Sequence, residues 1–89
     1  MKAVITVIGK DRVGIICSVS NILAKANINI LDISQTIMQD IFTMIMLVDI
    51  SNSAADFTSI KKDLENLGDE LGLSIRIQHE DIFNSMHRI

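Results

Sequence analysis

The chain has no proline, no tryptophan and no tyrosine, and its 89 residues include one cysteine, four glycines and three phenylalanines. Each scarcity removes a class of protein. Without proline or a Gly/Ser-rich stretch there is no linker or low-complexity segment, and 48% apolar residues mark a chain that buries a core. A single thiol, Cys17, makes no internal disulfide, no thiolate zinc cluster and no iron–sulfur site. Three phenylalanines leave few platforms for stacking bases. Positive charge is not in excess either. Eight basic against eleven acidic residues give a net charge of −3, which argues against direct nucleic-acid binding through phosphate neutralisation. The apolar run at the start, Ala3 to Ile8, is too short for a signal sequence or a membrane span. The expectation is one soluble, cytoplasmic domain with no membrane partner.

What is abundant is isoleucine. Seventeen isoleucines against seven leucines favour sheet over an all-helical bundle, because β-branched side chains suit a pleated surface. Lys2 to Ile8 reads as a central strand covered on both faces. Ile15, Ile16, Val19, Ile22, Leu23 and Ala26 recur at helical spacing, so a helix spans about Gly14 to Ala26, with Asp11 as its expected cap. Leu31, Ile33 and Ile37 alternate with Asp32, Ser34 and Thr36, a strand with one polar face, and Gln39-Asp40 is the hairpin turn. Ile41 to Ile50 is a second nearly continuous apolar strand. Ser53 and Asp56 are spaced as a capping box. Phe57, Ile60, Leu64, Leu67 and Leu71 then form the clearest amphipathic stripe, with Gly68 and Gly72 read as its frayed end. Leu73, Ile75 and Ile77 alternate in a fourth strand, and Ile82, Phe83, Met86 and Ile89 share one side of a short terminal helix.

The order β-α-β-β-α-β is the split βαβ, ferredoxin-like α+β pattern: a four-stranded antiparallel sheet with two helices on one face. Right-handed crossovers place the first and third strands in the middle. The face away from the helices then exposes Met, Ile and Val side chains, which implies a homodimer unless the terminal segment folds over it.

The stretch Gly9-Lys10-Asp11-Arg12-Val13-Gly14 joins the first strand to the first helix. Its two glycines have the spacing of a phosphate-binding loop, but Ile15-Ile16 stand where that motif needs Lys and Ser/Thr, so nucleoside triphosphate hydrolysis is excluded. What remains is a helix N-terminus with free N–H groups, suited to a single carboxylate or simply to a tight packed turn.

The run Ile5 to Ile15, Ile-Thr-Val-Ile-Gly-Lys-Asp-Arg-Val-Gly-Ile, resembles the opening of an ACT domain, in which an apolar strand is followed by Asp-Arg-Pro-Gly and an aliphatic residue. Ala26-Asn27-Ile28-Asn29-Ile30, then Asp32-Ile33-Ser34-Gln35, resembles the start of that family's second strand. Residues 1–81 are similar to an ACT domain, with 82–89 as a short helical tail. The resemblance is strongest to small bacterial single-domain members and to the ACT modules of the glycine-cleavage repressor and formyltetrahydrofolate deformylase. It implies a regulatory, non-catalytic module without cofactor or metal, which binds a small amino acid at a homodimer interface and acts on a separate protein. Carried over by position, Asp11, Arg12, Val13, Gly14 and Ile15 form the loop side, Asn29 faces the ligand from the second strand, and Ile30, Leu31 and Asp32 surround it. Val13 departs from the family's proline.

Two other readings stay open. One is a ligand-free dimerisation or protein-interaction module. The other is an acylphosphatase-like hydrolase, which shares the element order and uses an arginine in this loop with a second-strand asparagine; here Arg12 precedes Gly14 and no nucleophile–base pair is visible. His79 and His87 lack metal-ligand spacing, Cys17 reads as a packed core thiol, and Met38, Met44 and Met46 as adaptable packing.

Overall fold

The computed structural model describes residues 1–86, in the order β1 (Lys2–Lys10), α1 (Ile15–Lys25), β2 (Asn29–Met38), β3 (Ile41–Asp49), α2 (Phe57–Leu71), β4 (Leu73–His79) and α3 (Glu80–Met86). The four strands make one antiparallel sheet in the order β2-β3-β1-β4, the ferredoxin-like arrangement. The two most apolar strands therefore sit in the middle. Ala3, Ile5 and Val7 of β1 and Phe42, Met44, Met46 and Val48 of β3 share the helix side. They meet Ile15, Val19 and Leu23 of α1, Ile60 and Leu64 of α2, and Leu73, Ile75 and Ile77 of β4 in a single core. The period of two in the strands and of 3.6 in the helices is what lets these faces meet.

The helix ends differ from the local reading. Asp11 does not cap α1. Gly14 is the N-cap in the left-handed region (φ 93°), no side chain caps the helix, and no acidic residue lies in its first turn. The Asp11 amide instead donates to the Asp40 carbonyl at 2.7 Å, tying the β1–α1 loop to the hairpin turn. On α2, Asp56 rather than Ser53 is the cap, its Oδ1 accepting from the Ser59 amide at 2.8 Å. The Ser53 hydroxyl bonds Ala55 within the preceding turn. The frayed-end reading of α2 is also corrected. Gly68 is buried inside the helix, and Gly72 (φ 72°) ends it with its N–H on the Gly68 carbonyl, a left-handed cap that disfavours other residues.

The Asp56 cap gives an acid-side prediction. The Ser59 amide bond holds this carboxyl below its ordinary 3.8. A depressed folded value means that the stabilisation is present above the unfolded value and lost as pH falls through the folded one. Asp56→Ala is expected to lower the melting temperature at pH 7, with the gap to the parent protein closing as the pH approaches 2. A gap that stays constant across thermal melts from pH 7 to 2 would show that the carboxylate is not the cap.

β2 departs most from expectation. A bulge at Leu31, between Ile30 and Asp32, resets the alternation. Ile30, Ile33, Gln35 and Ile37 lie opposite Val48, Met46, Met44 and Phe42, hence on the helix side. Yet β2 is an edge strand and its far half is left open: Ile33 is 41% and Ile37 54% exposed. On the other sheet face, α3 packs back against β1 and β4, and Val4 on that face is only 6% exposed. The terminal helix thus takes part of the bare face, while Ile8, Ile41 and Ile45 there remain exposed. Ile89 and His87 lie outside the described residues.

Candidate functional site

Local chemistry builds the loop end first. β1 finishes at Lys10, Gly14 turns the chain, and α1 starts with its first-turn amides uncapped. The first helical bond is donated by the Ser18 N–H to the Gly14 carbonyl at 2.9 Å, and the preceding amides of Ile15, Ile16 and Cys17 have no side-chain acceptor. Unpaired donors and the positive end of the helix dipole coincide there. Of the expected site residues, Val13 is fully exposed and Ile15 is buried, so Ile15 offers only its backbone N–H. The Arg12 guanidinium reaches sideways to the Leu71 carbonyl at 3.4 Å, where a cation also complements the C-terminal end of α2. Asp11 is exposed and bonded through its backbone.

Asn29, Ile30 and Asp32 lie elsewhere. α1 runs back along the sheet, so β2 begins beside Asp49, at the Lys2 end of β1, roughly 27 Å from the Lys10 end at 3.4 Å per residue. A polar cleft of about 470 Å³ surrounds Asn29, with Asn27, Asp49 and Asn52 in its wall. Asn27, in the left-handed region, donates its side-chain N–H to the Asn52 carbonyl at 3.0 Å. The Ser51 amide holds the Asp49 carboxyl below its ordinary range, and the N-terminal amine of Met1 lies 3.7 Å from it. Asp32 is engaged locally, its Oδ1 accepting from the Ile33 amide at 2.9 Å. One chain therefore brings Asp11 through Ile15 together and Asn29, Ile30 and Asp32 together, at opposite ends of the sheet.

The strand between those ends carries the residues that sequence reasoning passed over. From Ile33 to Gln39 no residue is charged. A free edge of this length is usually guarded by charge or proline. On α1, Ile22, Lys25 and Ala26 line the crevice with α2; at 100° per residue Ile16 and Ser20 fall on the opposite flank, above β2. Ile16, Ile33 and Ile37 are exposed on this side, and Leu31, at the bulge, is exposed as well. The signal was present as an uncharged run, but an edge is visible only once the strand order is known.

The remaining candidates resolve simply. Cys17 is exposed rather than packed, lying about 200° around the helix from Ile15. His79 is half-buried, stacked on Phe57 with ring centroids 4.3 Å apart. Among the described residues no three His, Cys, Asp or Glu side chains are grouped to hold a metal, and no helix is long and apolar enough to cross a membrane.

Comparison with known proteins gives a consistent family. The model of the ACT domain matches residues 2–78. A UPF0237 protein of Clostridium acetobutylicum is 64% identical over 89 residues, covering 100% of both chains. An ACT domain protein from Streptococcus pneumoniae superposes with a TM-score of 0.80 at 44% identity, covering 93% of each chain. A putative glycine cleavage system transcriptional repressor superposes at 0.73 with 30% identity, over 86% of this chain and 44% of its own.

Proposed function

The chain belongs to the ACT domain family of regulatory ligand-binding modules, and from that premise we propose that it binds a small amino acid across a two-fold homodimer and relays its presence to a separate protein. The observation that carries this reading is the contrast between its helices. α2 is closed by Asp56, whereas α1 opens at Gly14 with neither a capping side chain nor an acidic first turn. Such a terminus accepts an α-carboxylate through backbone N–H groups. Asn29, through its amide oxygen, accepts from the α-ammonium group.

Within one chain these two halves are too far apart, so the site needs a second copy. The free edge of β2 supports that assembly. Antiparallel pairing of two β2 strands about Gln35 sets Ile33 against the partner's Ile37 and joins the sheets. The same operation lays Asn29 beside the partner's Gln39–Asp40 turn, the turn to which the Asp11 amide is bonded in each chain. The covering of Val4 by the α3 side of the molecule favours this edge over the bare sheet face for the contact.

Titration of the twenty amino acids by calorimetry tests the reading. One or a few small amino acids are expected to bind, and Asn29→Ala, an exposed position, is expected to weaken that response at least ten-fold with an unchanged melting temperature. Silence from all twenty at millimolar concentration favours the ligand-free interaction module.

A further inference from the structure

The bare sheet face holds a second cleft, unrelated to the α1 terminus or to Asn29. Register places Arg76 of β4, Thr6 of β1 and Ile45 of β3 in one row across the sheet, with Ser74 beside Ile8 in the next. Side chains directly opposite one another in antiparallel strands are within about 5.5 Å at Cβ. These residues, with Gln78 of β4 and Phe83 of α3, line an open cleft of about 410 Å³, within the range of small-molecule sites. Ile8, Ile45 and Phe83 make its walls apolar. Thr6 and Ser74 supply hydroxyls.

The charge on this surface is one-sided. Among the described residues no carboxylate lines the cleft and none forms an ion pair with Arg76; Glu65 and Asp69 border the separate groove between β4 and α2, which Arg76 also lines. Arg76 is exposed at the rim of the cleft, and its guanidinium can bind a carboxylate through a planar, charge-assisted pair of hydrogen bonds. An apolar tail would meanwhile cover the isoleucines that β1 and β3 leave exposed. An amine finds no acceptor charge there, and a neutral alcohol leaves the guanidinium unpaired.

We propose that the cleft between the bare face of the sheet and α3 binds a small amphipathic carboxylate, its carboxylate on Arg76 and its alkyl body between Ile8, Ile45 and Phe83. The α3 helix forms one side of that site, so the occupant also determines how firmly α3 is held.

Calorimetry at pH 7 with octanoate, octylamine and octanol as probes tests it on the full chain. Octanoate is expected to bind once per chain, and the amine and the alcohol at least ten-fold more weakly. Arg76→Met keeps the side chain's apolar stem at an exposed position; it should lower octanoate affinity at least ten-fold with an unchanged melting temperature, and Arg76→Lys should retain part of it. Asn29→Ala should leave octanoate binding untouched, which separates this site from the amino-acid site. Equal binding of octanoate and octylamine, undiminished binding by Arg76→Met, or no octanoate binding at millimolar concentration each overturns the proposal. If octanoate is silent and Ile45→Lys halves the mass in solution, the face belongs to a second copy of the chain instead.

Discussion

Replacing Gly68 by alanine is expected to destabilise the protein by about 2 kcal/mol, although alanine is the better helix former by about 1 kcal/mol. The reason is tertiary. A Cβ at this position would lie 2.6 Å from the Leu73 carbonyl oxygen and 3.4 Å from Ile75 Cγ1. The first is backbone, not the tip of a mobile side chain, so α2 must lift from β4 to make room. That shift opens gaps around Leu64 and Ile60, both buried in the core between them. Overpacking of this kind costs about 1–3 kcal/mol, and valine should exceed alanine. In a domain of this size the alanine variant should melt roughly 10 °C lower. Gly72→Ala is the informative companion. Nothing lies within 4 Å of its Cβ, so its cost comes only from the positive φ, about 1 kcal/mol. Thermal melts that rank Gly72→Ala as the more damaging change would show that α2 does not press on β4 through Gly68.

The same glycine shows where sequence reading stopped. Phe57, Ile60, Leu64, Leu67 and Leu71 predicted α2 because helical periodicity is local. Nothing local says that the chain returns as β4 close enough for a carbonyl to touch Gly68. The strand order was legible because only β1 and β3 are apolar on both sides. The α1 cap was misread because Asp11 suits capping chemistry, while Gly14 in the left-handed region turns the chain after it and leaves the terminus bare. Cys17 is set by helical phase rather than by its apolar neighbours: Ile15, Val19 and Leu23 define the buried stripe, and Cys17 falls outside it. The bulge at Leu31 inserts a residue into the alternation, so Ile30 and Ile33 share a face that a strict period of two denies them. The candidate site was legible as a set of residues. Its division between two ends of the sheet followed from α1 running antiparallel to β1.

That division makes the edge of β2 the decisive surface, and Ile33→Lys combined with Ile37→Lys is expected to abolish both the dimer and its amino-acid response. In the antiparallel pairing about Gln35, four isoleucines from two chains form one apolar row on the helix side. Four lysines in their place face one another across about 5 Å, where like charges repel and the apolar contact is gone. β4, the other edge, is shorter and carries Arg76 at its centre; it is guarded as edges usually are, so it offers no substitute. Because Ile33 and Ile37 are already exposed in the single chain, the variant should keep its circular dichroism spectrum. Light scattering should then give the 9.9 kDa of one chain, half the parent value. The loss of ligand response with Asn29 and the Gly14 loop intact would follow from geometry alone, since each half-site is left facing water. A variant that remains dimeric moves the contact to the bare sheet face, where Ile45→Lys would disrupt it. A monomer that still binds amino acids would place the whole ligand on one end of the sheet and detach sensing from association.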